Sequence, residues 1–331
     1  MHSTPADHAR RVPDRLALAA WLTSPRVVSA DGSVAAWWNP GHPGFAYPEA
    51  AGWWLAWAWW RAARGDEAPE PEQVRAVARR LAIDVVRDGG AGKDGRTYLF
   101  DACVVARGLA RAAAAGALDD VDGAWRGALT RALDRFLSQG AVVLPAAGEP
   151  GRWSQTWGAH LERAAGLLEE AHSRLDEPRW AQAAGHIRAR VGGGPAAAPS
   201  DYLHARLYAA EGAWRRIGTA RDEGRARAQE SAAGLVAWQR ADGSLPAWAN
   251  GTGPGRVDAT AQAARLWCAC GDAVSVAAAR RALRWLARVQ RVDGALPYEA
   301  GSADATTWSA LFTDYAAAAV AGLDAAAPGA A

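Results

Sequence analysis

The sequence reads Gln239-Arg240-Ala241-Asp242-Gly243-Ser244-Leu245-Pro246 and later, almost unchanged, Gln290-Arg291-Val292-Asp293-Gly294-Ala295-Leu296-Pro297. Each phrase closes a helical stretch, and shorter versions stand at Ala30-Asp31-Gly32-Ser33 and Lys93-Asp94-Gly95. Asp-Gly is typical of turns, because glycine adopts positive φ and aspartate hydrogen-bonds nearby backbone. A turn phrase that recurs between helices indicates one helical unit used several times.

The segments around these turns follow a helical pattern. Amphipathic segments such as 71–88 and 273–290 alternate with segments such as 256–270, which carry small residues around the whole circumference. The first kind fits an outer helix and the second an inner helix packed on both sides. We therefore predict an all-α fold, a single (α/α)6 toroid of six helical hairpins. The predicted helices lie at 13–22, 47–64, 71–88, 98–116, 120–139, 154–171, 178–191, 200–218, 221–239, 256–270, 273–290 and 304–322. The toroid domain is predicted to span 13–323, between flexible ends at 1–12 and 324–331.

Composition and charge exclude several classes of protein. Lys and Arg number 37 against 35 Asp and Glu, so no basic footprint for nucleic acid exists. Cys103, Cys268 and Cys270 have neither a disulfide framework nor zinc spacing, and no metal is predicted. No glycine-rich phosphate loop follows a strand, so no cofactor is predicted. The apolar runs are too short for a membrane span or a signal peptide, which predicts a cytoplasmic protein of unknown oligomeric state.

Polar and aromatic residues gather where the inner helices begin. Because the long loops precede these helices, their N-termini are predicted to share one rim, where unpaired backbone N–H groups favour an anion. Acids and histidines at this rim can divide acid and base roles. The predicted catalytic residues are Glu49, Asp101, His160, His204 and Asp258. The predicted substrate-binding residues are Tyr47, Arg107, Trp153, Gln155, Tyr202, Glu211, Trp248, Gln262 and Trp308.

Simpler interpretations compete with these roles. An aspartate at a helix start is an N-cap by default, which applies to Asp101 and Asp258. A histidine on a helix is often only a structural hydrogen-bonding group, and most of the tryptophans from 53 to 60 are predicted to be core. Arginines on the inner helices, including Arg107, Arg163 and Arg265, either pair with buried carboxylates or bind a substrate anion.

The turn phrases resemble the Gln–Trp repeats of squalene and oxidosqualene cyclases. In addition, Asp258-Ala259-Thr260-Ala261-Gln262 is similar to the Asp-Cys-Thr-Ala-Glu motif of oxidosqualene cyclases, with Ala259 and Gln262 replacing Cys and Glu. This resemblance implies an α/α barrel of the terpene cyclase and protein prenyltransferase type, with Asp258 as the general acid. The chain could supply one barrel of the two that such cyclases contain.

A second resemblance covers the first half of the chain. Tyr47-Pro48-Glu49-Ala50-Ala51-Gly52 and Trp153-Ser154-Gln155-Thr156-Trp157-Gly158 look like motifs of glucuronyl C5-epimerases. The overall plan is similar to N-acylglucosamine 2-epimerase-like toroids. These resemblances agree on the fold and differ on the chemistry.

Three functions remain open from the sequence. The first is a carbohydrate-active enzyme, an epimerase, lyase or hydrolase, that uses carboxylate and histidine acid–base chemistry on an acidic or amino sugar or glycan. The second is a terpene-cyclase-like isomerase with Asp258 as the acid. The third is a toroid that binds a glycan or peptide without turnover.

Overall fold

The computed structural model describes residues 12–42, 44–119, 121–145, 153–192, 200–216 and 220–326. Twelve α-helices lie in this part of the chain, close to the twelve predicted positions. They are α1 (Arg15–Thr23), α2 (Pro48–Ala63), α3 (Pro71–Asp88), α4 (Leu99–Ala114), α5 (Ala124–Gln139), α6 (Leu161–Leu175), α7 (Pro178–Val191), α8 (Leu203–Trp214), α9 (Arg221–Trp238), α10 (Val257–Cys270), α11 (Ala273–Val289) and α12 (Thr307–Ala326). The largest difference is at α6, because Trp153–Gln155 forms a separate 3₁₀ helix before it.

The even-numbered helices form a closed inner ring. Each of α2, α4, α6, α8 and α10 contacts the next even-numbered helix, and α12 contacts α2. Along the chain α2 packs on α3, α4 on α5, α6 on α7, α8 on α9 and α10 on α11, while α12 packs on α1. The predicted mostly helical α/α-toroid class is therefore confirmed. The proposed flexible ends fall largely outside the described residues, at 1–11 and 327–331, and the domain bounds stay a prediction.

The composition of the helices explains which ring each one joins. Almost every residue of α4 and α10 is buried, since alanine and other small side chains let neighbouring helices approach from two sides. In contrast, α3 and α11 bury one face and expose arginines on the other. None of the helices in the described ranges combines the length and the apolar composition that a membrane crossing needs.

Seven short strands, which the sequence pattern does not predict, cover one end of the ring. They are β1 (Trp37–Trp38), β2 (Gly92–Lys93), β3 (Arg96–Tyr98), β4 (Val143–Leu144), β5 (Leu245–Pro246), β6 (Gly255–Arg256) and β7 (Ala305–Thr306). All pairings are antiparallel: β1 with β7, β2 with β3, β3 with β4, and β5 with β6. Strands of two or three residues are too short to show an alternating pattern. They fix the loops that precede the inner helices.

The two long turn phrases pack the end of one outer helix against the next outer helix. Gly243 has a φ of +98°, and a side chain there would lie 2.4 Å from the carbonyl oxygen of Arg281 in α11. The Gln239 side chain also reaches α11, where its amide donates to the Ala278 carbonyl oxygen (2.9 Å). Gln290 does the same one hairpin later: its amide donates to the Asp14 carbonyl oxygen at the start of α1 (3.0 Å). The phrases therefore have a structural role in outer-ring packing.

Candidate functional site

A cavity of about 750 Å³ opens at the N-terminal ends of the inner helices. Residues at the starts of α2, α4, α8, α10 and α12 line it, together with loop residues before them. Nine of the predicted site residues meet here: Tyr47, Glu49, Asp101, Trp153, Gln155, Tyr202, His204, Asp258 and Trp308. The remaining lining residues are Phe45, Lys93, Asp94, Arg96, Tyr98, Phe100, Ser154, Tyr208, Arg256 and Tyr298.

Glu49 and Asp101 form one acidic centre of the cavity. Glu49 accepts a hydrogen bond from the indole N–H of Trp53 (2.9 Å), and Asp101 accepts one from the Tyr47 hydroxyl (2.5 Å). Burial raises the pKa of Glu49 to about 7 in spite of the indole donors. Burial, and next the charge of Glu49, raise the pKa of Asp101 well above its usual value. Two carboxyl groups in this situation cannot both ionise, so the pair holds a proton near neutral pH.

Asp258 forms a second acidic centre with the opposite electrostatics. The Arg256 guanidinium donates to both of its oxygens (3.2 and 2.6 Å), and the backbone N–H of Ala259 donates to one of them (2.7 Å). His204 Nδ1 lies 3.6 Å from the carboxylate. Burial opposes ionisation, but the charge and hydrogen bonds of Arg256 outweigh it and hold the pKa of Asp258 below its ordinary value. Burial lowers the pKa of His204, which is therefore neutral at neutral pH.

Aromatic rings form much of the cavity wall. The Trp153 ring lies 5.8 Å from the rings of both Tyr202 and His204. Tyr208 lies 4.5 Å from His204. On the other side, the Trp308 ring is 6.1 Å from that of Tyr47. Flat apolar faces beside acids and a histidine suit a ring-shaped substrate that carries hydroxyl groups.

Five of the predicted site residues are not brought to this cavity. His160, the N-cap residue of α6, stands behind Trp153 and lines an adjoining cavity of about 560 Å³. Burial lowers its pKa to about 4. Gln262 is fully buried, and Trp248 is 44% exposed at the outer edge beside Tyr202. Arg107 and Glu211 form ion pairs elsewhere in the ring, Arg107 with Glu170 and Glu211 with Arg163 and Arg265.

The simple capping interpretation is wrong for the two cavity aspartates. The residues at the cap positions of α4 and α10 are Tyr98 and Arg256, and neither cap makes a side-chain hydrogen bond. Asp101 and Asp258 lie inside the first turn, where their side chains reach the cavity. The cyclase-like role also meets an obstacle, because a general acid must hold its proton and Arg256 keeps Asp258 ionised.

Some cavity residues were not identified as site residues from the sequence. Arg256 stands two positions before Asp258 and controls its charge. Lys93 belongs to one of the turn phrases, and its ammonium lies 3.6 Å from the centre of the Phe45 ring. Tyr208 follows His204 by one helical turn, a spacing that could have indicated a shared face. Within the described ranges, no cluster of three or more His, Cys, Asp or Glu is placed to hold a metal ion.

No family model and no curated protein match the chain. Solved structures do match it. A glycosidase in complex with glucose has a TM-score of 0.65 at 16% identity, over 97% of this chain and 99% of that one. An unsaturated glucuronyl hydrolase specific for heparin has a TM-score of 0.64 at 12% identity, over 94% and 96%. A polysaccharide lyase has a TM-score of 0.60 at 11% identity, over 95% and 98%.

These three proteins are neither cyclases nor epimerases, so the more specific resemblances suggested by the motifs stay hypotheses. At identities this low the likeness concerns the fold alone. Along nearly its whole length, the chain has the α/α-toroid fold that these proteins share.

Proposed function

We propose that this chain is a carbohydrate-active enzyme that cleaves a glycosidic bond by hydrolysis. The observation that carries the proposal is the pairing of two unlike acidic centres in one cavity. Glu49 and Asp101 hold a proton near neutral pH, whereas Asp258 is kept ionised by Arg256. Hydrolysis of a glycoside needs both kinds of carboxyl group, one to donate a proton and one to accept it.

The reaction follows from these charges. The Glu49–Asp101 pair donates its proton to the glycosidic oxygen as the bond to the anomeric carbon breaks. A water molecule attacks that carbon and loses a proton towards Asp258 or the neutral imidazole of His204. The aromatic wall, with Trp153 on one side, holds the sugar ring by its apolar faces.

The substrate class follows from the cations of the cavity. Lys93 and Arg96 stand on the β2–β3 hairpin and line the cavity. Arginine and lysine suit a sugar carboxylate, so an acidic sugar is the proposed substrate. The solved structures with this fold include a glycosidase and an unsaturated glucuronyl hydrolase, which supports a sugar-processing role.

A second candidate is proton abstraction beside a carboxylate, as in a lyase or an epimerase. The observation that favours it is His204, a buried neutral imidazole next to the phenol of Tyr202. Here His204 would remove the proton and Tyr202 would return one. The products distinguish the candidates: hydrolysis adds one water, elimination creates a C=C bond, and epimerisation leaves the mass unchanged.

The test is a screen of saturated and unsaturated uronic acid oligosaccharides, with amino-sugar glycosides alongside, analysed by mass spectrometry. Glu49→Gln keeps an acceptor for the indole N–H of Trp53 but cannot supply the proton. We expect it to lower kcat/KM by about 10²–10⁴-fold. The matched control is Asp88→Asn, at the exposed end of α3, which should leave activity unchanged. Full activity in Glu49→Gln would remove Glu49 from the mechanism, and binding without turnover would favour the glycan-binding alternative.

A further inference from the structure

A second cavity, of about 210 Å³, lies among the same inner helices but shares no lining residue with the first. Trp53 stands between the two cavities. Its ring lines the smaller one, stacks on Tyr208 of the larger one (centroids 6.5 Å apart), and its N–H donates to Glu49. Six arginines dominate the lining of the smaller cavity: Arg64, Arg107, Arg111, Arg163, Arg215 and Arg265. Trp60, Tyr315, Ala318 and Ala319 complete it.

The arginines outnumber the carboxylates that neutralise them. Arg64 pairs with Asp66 outside the cavity. In the described residues the other five share two glutamates. Glu170 pairs with Arg107, Arg111 and Arg215. Glu211 pairs with Arg163 and Arg265. An excess of three positive charges in a largely buried space is unfavourable unless an anion joins them.

Arg163 shows this imbalance most clearly. It is 1% exposed, and none of its three guanidinium nitrogens makes a hydrogen bond within the described part of the chain. The nearest carboxylate oxygen, on Glu211, is 3.4 Å from its Nε. Arg163 also lies in the first turn of α6, where the helix dipole disfavours a cation. The buried hydroxyl of Tyr315 likewise has no partner among these residues.

The electrostatics of the neighbouring arginines agree with this geometry. Burial, followed by the charge of Arg107, lowers the pKa of Arg111 to about 10. Burial also lowers the pKa of Arg163, followed by repulsion from the charge of Arg215. Arginine keeps its proton in proteins, so these directions express the cost of burying the charges, and secondly the repulsion between them, rather than loss of charge.

We propose that the arginine cavity binds a small tetrahedral oxyanion of the phosphate or sulfate class. Guanidinium groups converging from α4, α6, α8 and α10 can each donate two parallel hydrogen bonds to such an anion, and a tetrahedral ion can accept from several directions at once. The side chains of Arg64 and Arg215 are 45% and 42% exposed, which leaves an entrance. The cavity has room for the ion and a few waters.

The test is calorimetric titration of the full chain with inorganic phosphate, inorganic sulfate and acetate, each at constant ionic strength. We expect saturable one-to-one binding of phosphate or sulfate, and weaker binding of acetate, which has only two oxygens. Tighter binding of acetate would overturn the assignment to a tetrahedral anion. Absence of saturable binding for all three would overturn the site itself.

Variants locate the binding. Arg163→Gln and Arg215→Gln should each weaken phosphate or sulfate binding about tenfold or more. Arg215 is half-exposed, so its variant decides the question if Arg163→Gln does not fold. Two controls should keep the affinity: Arg26→Gln, an exposed arginine paired with Asp293, and Lys93→Gln in the larger cavity. Unchanged affinity in Arg215→Gln together with a loss in Lys93→Gln would place the anion in the larger cavity instead.

Discussion

Two acidic centres of the same cavity differ in almost every electrostatic respect. Among the described residues, Glu49 accepts hydrogen bonds from indoles and Asp101 from a phenol, all of which are neutral donors. Burial, and next the charge of Glu49, raise the pKa of Asp101. Asp258 receives a guanidinium and a backbone N–H, with His204 beside it. Burial acts in the same direction at both centres, so the difference comes from the neighbouring charges. A carboxyl group is kept as an acid or as a base by its partners rather than by its depth.

The largest effect on stability should come from removing Arg256, the cation that makes the Asp258 centre electrostatically different from the Glu49–Asp101 centre. Arg256→Met leaves Asp258 buried without its ion-pair partner, and breaking a buried pair in this way costs about 3–5 kcal/mol of the free energy of unfolding. The pKa of Asp258 should rise, so that both centres would hold protons. Urea denaturation measures the stability, and the loss should be greatest above the new pKa of Asp258.

The control for this variant is Arg26→Met. Arg26 also pairs with an aspartate, Asp293, but both side chains are well exposed. Its loss should cost within about 1 kcal/mol, as for other surface pairs. Equal costs for the two substitutions would show that Arg256 and Asp258 are not a buried pair in solution.

A smaller effect is expected in the pH dependence of activity, which tests the protonation state of the proton donor directly. A proton donor must be protonated, and the pKa of Glu49 is about 7. We therefore expect kcat/KM to fall as pH rises through about 7, roughly hundredfold by pH 9. His204 and Asp258, whose pKa values are lowered, are unprotonated at neutral pH, so we expect no loss of activity as pH falls from 9 to 7. If activity instead increased from pH 7 to pH 9, the Glu49–Asp101 pair would be the proton acceptor and not the proton donor.

The smallest expected effect is a gain in stability. The pKa of Glu49 is higher in the folded chain than in the unfolded chain, so its contribution is lost as pH rises through about 7, and a buried charge remains above that pH. Glu49→Gln keeps an acceptor for Trp53 and removes this charge. It should stabilise the fold by on the order of 2 kcal/mol at pH 9 and by almost nothing at pH 4.

Thermal unfolding at both pH values measures this gain. The exposed Glu67→Gln serves as the control and should be neutral at both. A variant at position 49 that is destabilised at pH 9 would mean that Glu49 is an ionised, well-solvated base.

Several residues show how far the sequence leads towards the site. Glu49, Asp101, His204 and Asp258 could be placed together because each lies at the start of an inner helix. His160 follows the same rule and still lies behind Trp153, since the 3₁₀ helix at Trp153–Gln155 inserts an aromatic ring in front of it. The helical period of the sequence does not predict that His160 is covered, because the position of Trp153 depends on how the loop before α6 folds over the rim.

The sequence by itself determined the twelve helices and their alternation between small-residue and amphipathic faces, because helix formation and burial depend on local composition and a short period. It therefore also determined the toroid class. Only the tertiary structure decided which charges meet. Arg107 was expected in the substrate cavity and instead joins an arginine cluster with Glu170, while Arg256 turned out to hold Asp258 ionised. Ion pairs of this kind join residues far apart in the chain, as in Arg107 and Glu170, or depend on a short strand, as in Arg256 of β6. Their electrostatic energy arises only when the folded ring brings the charges together.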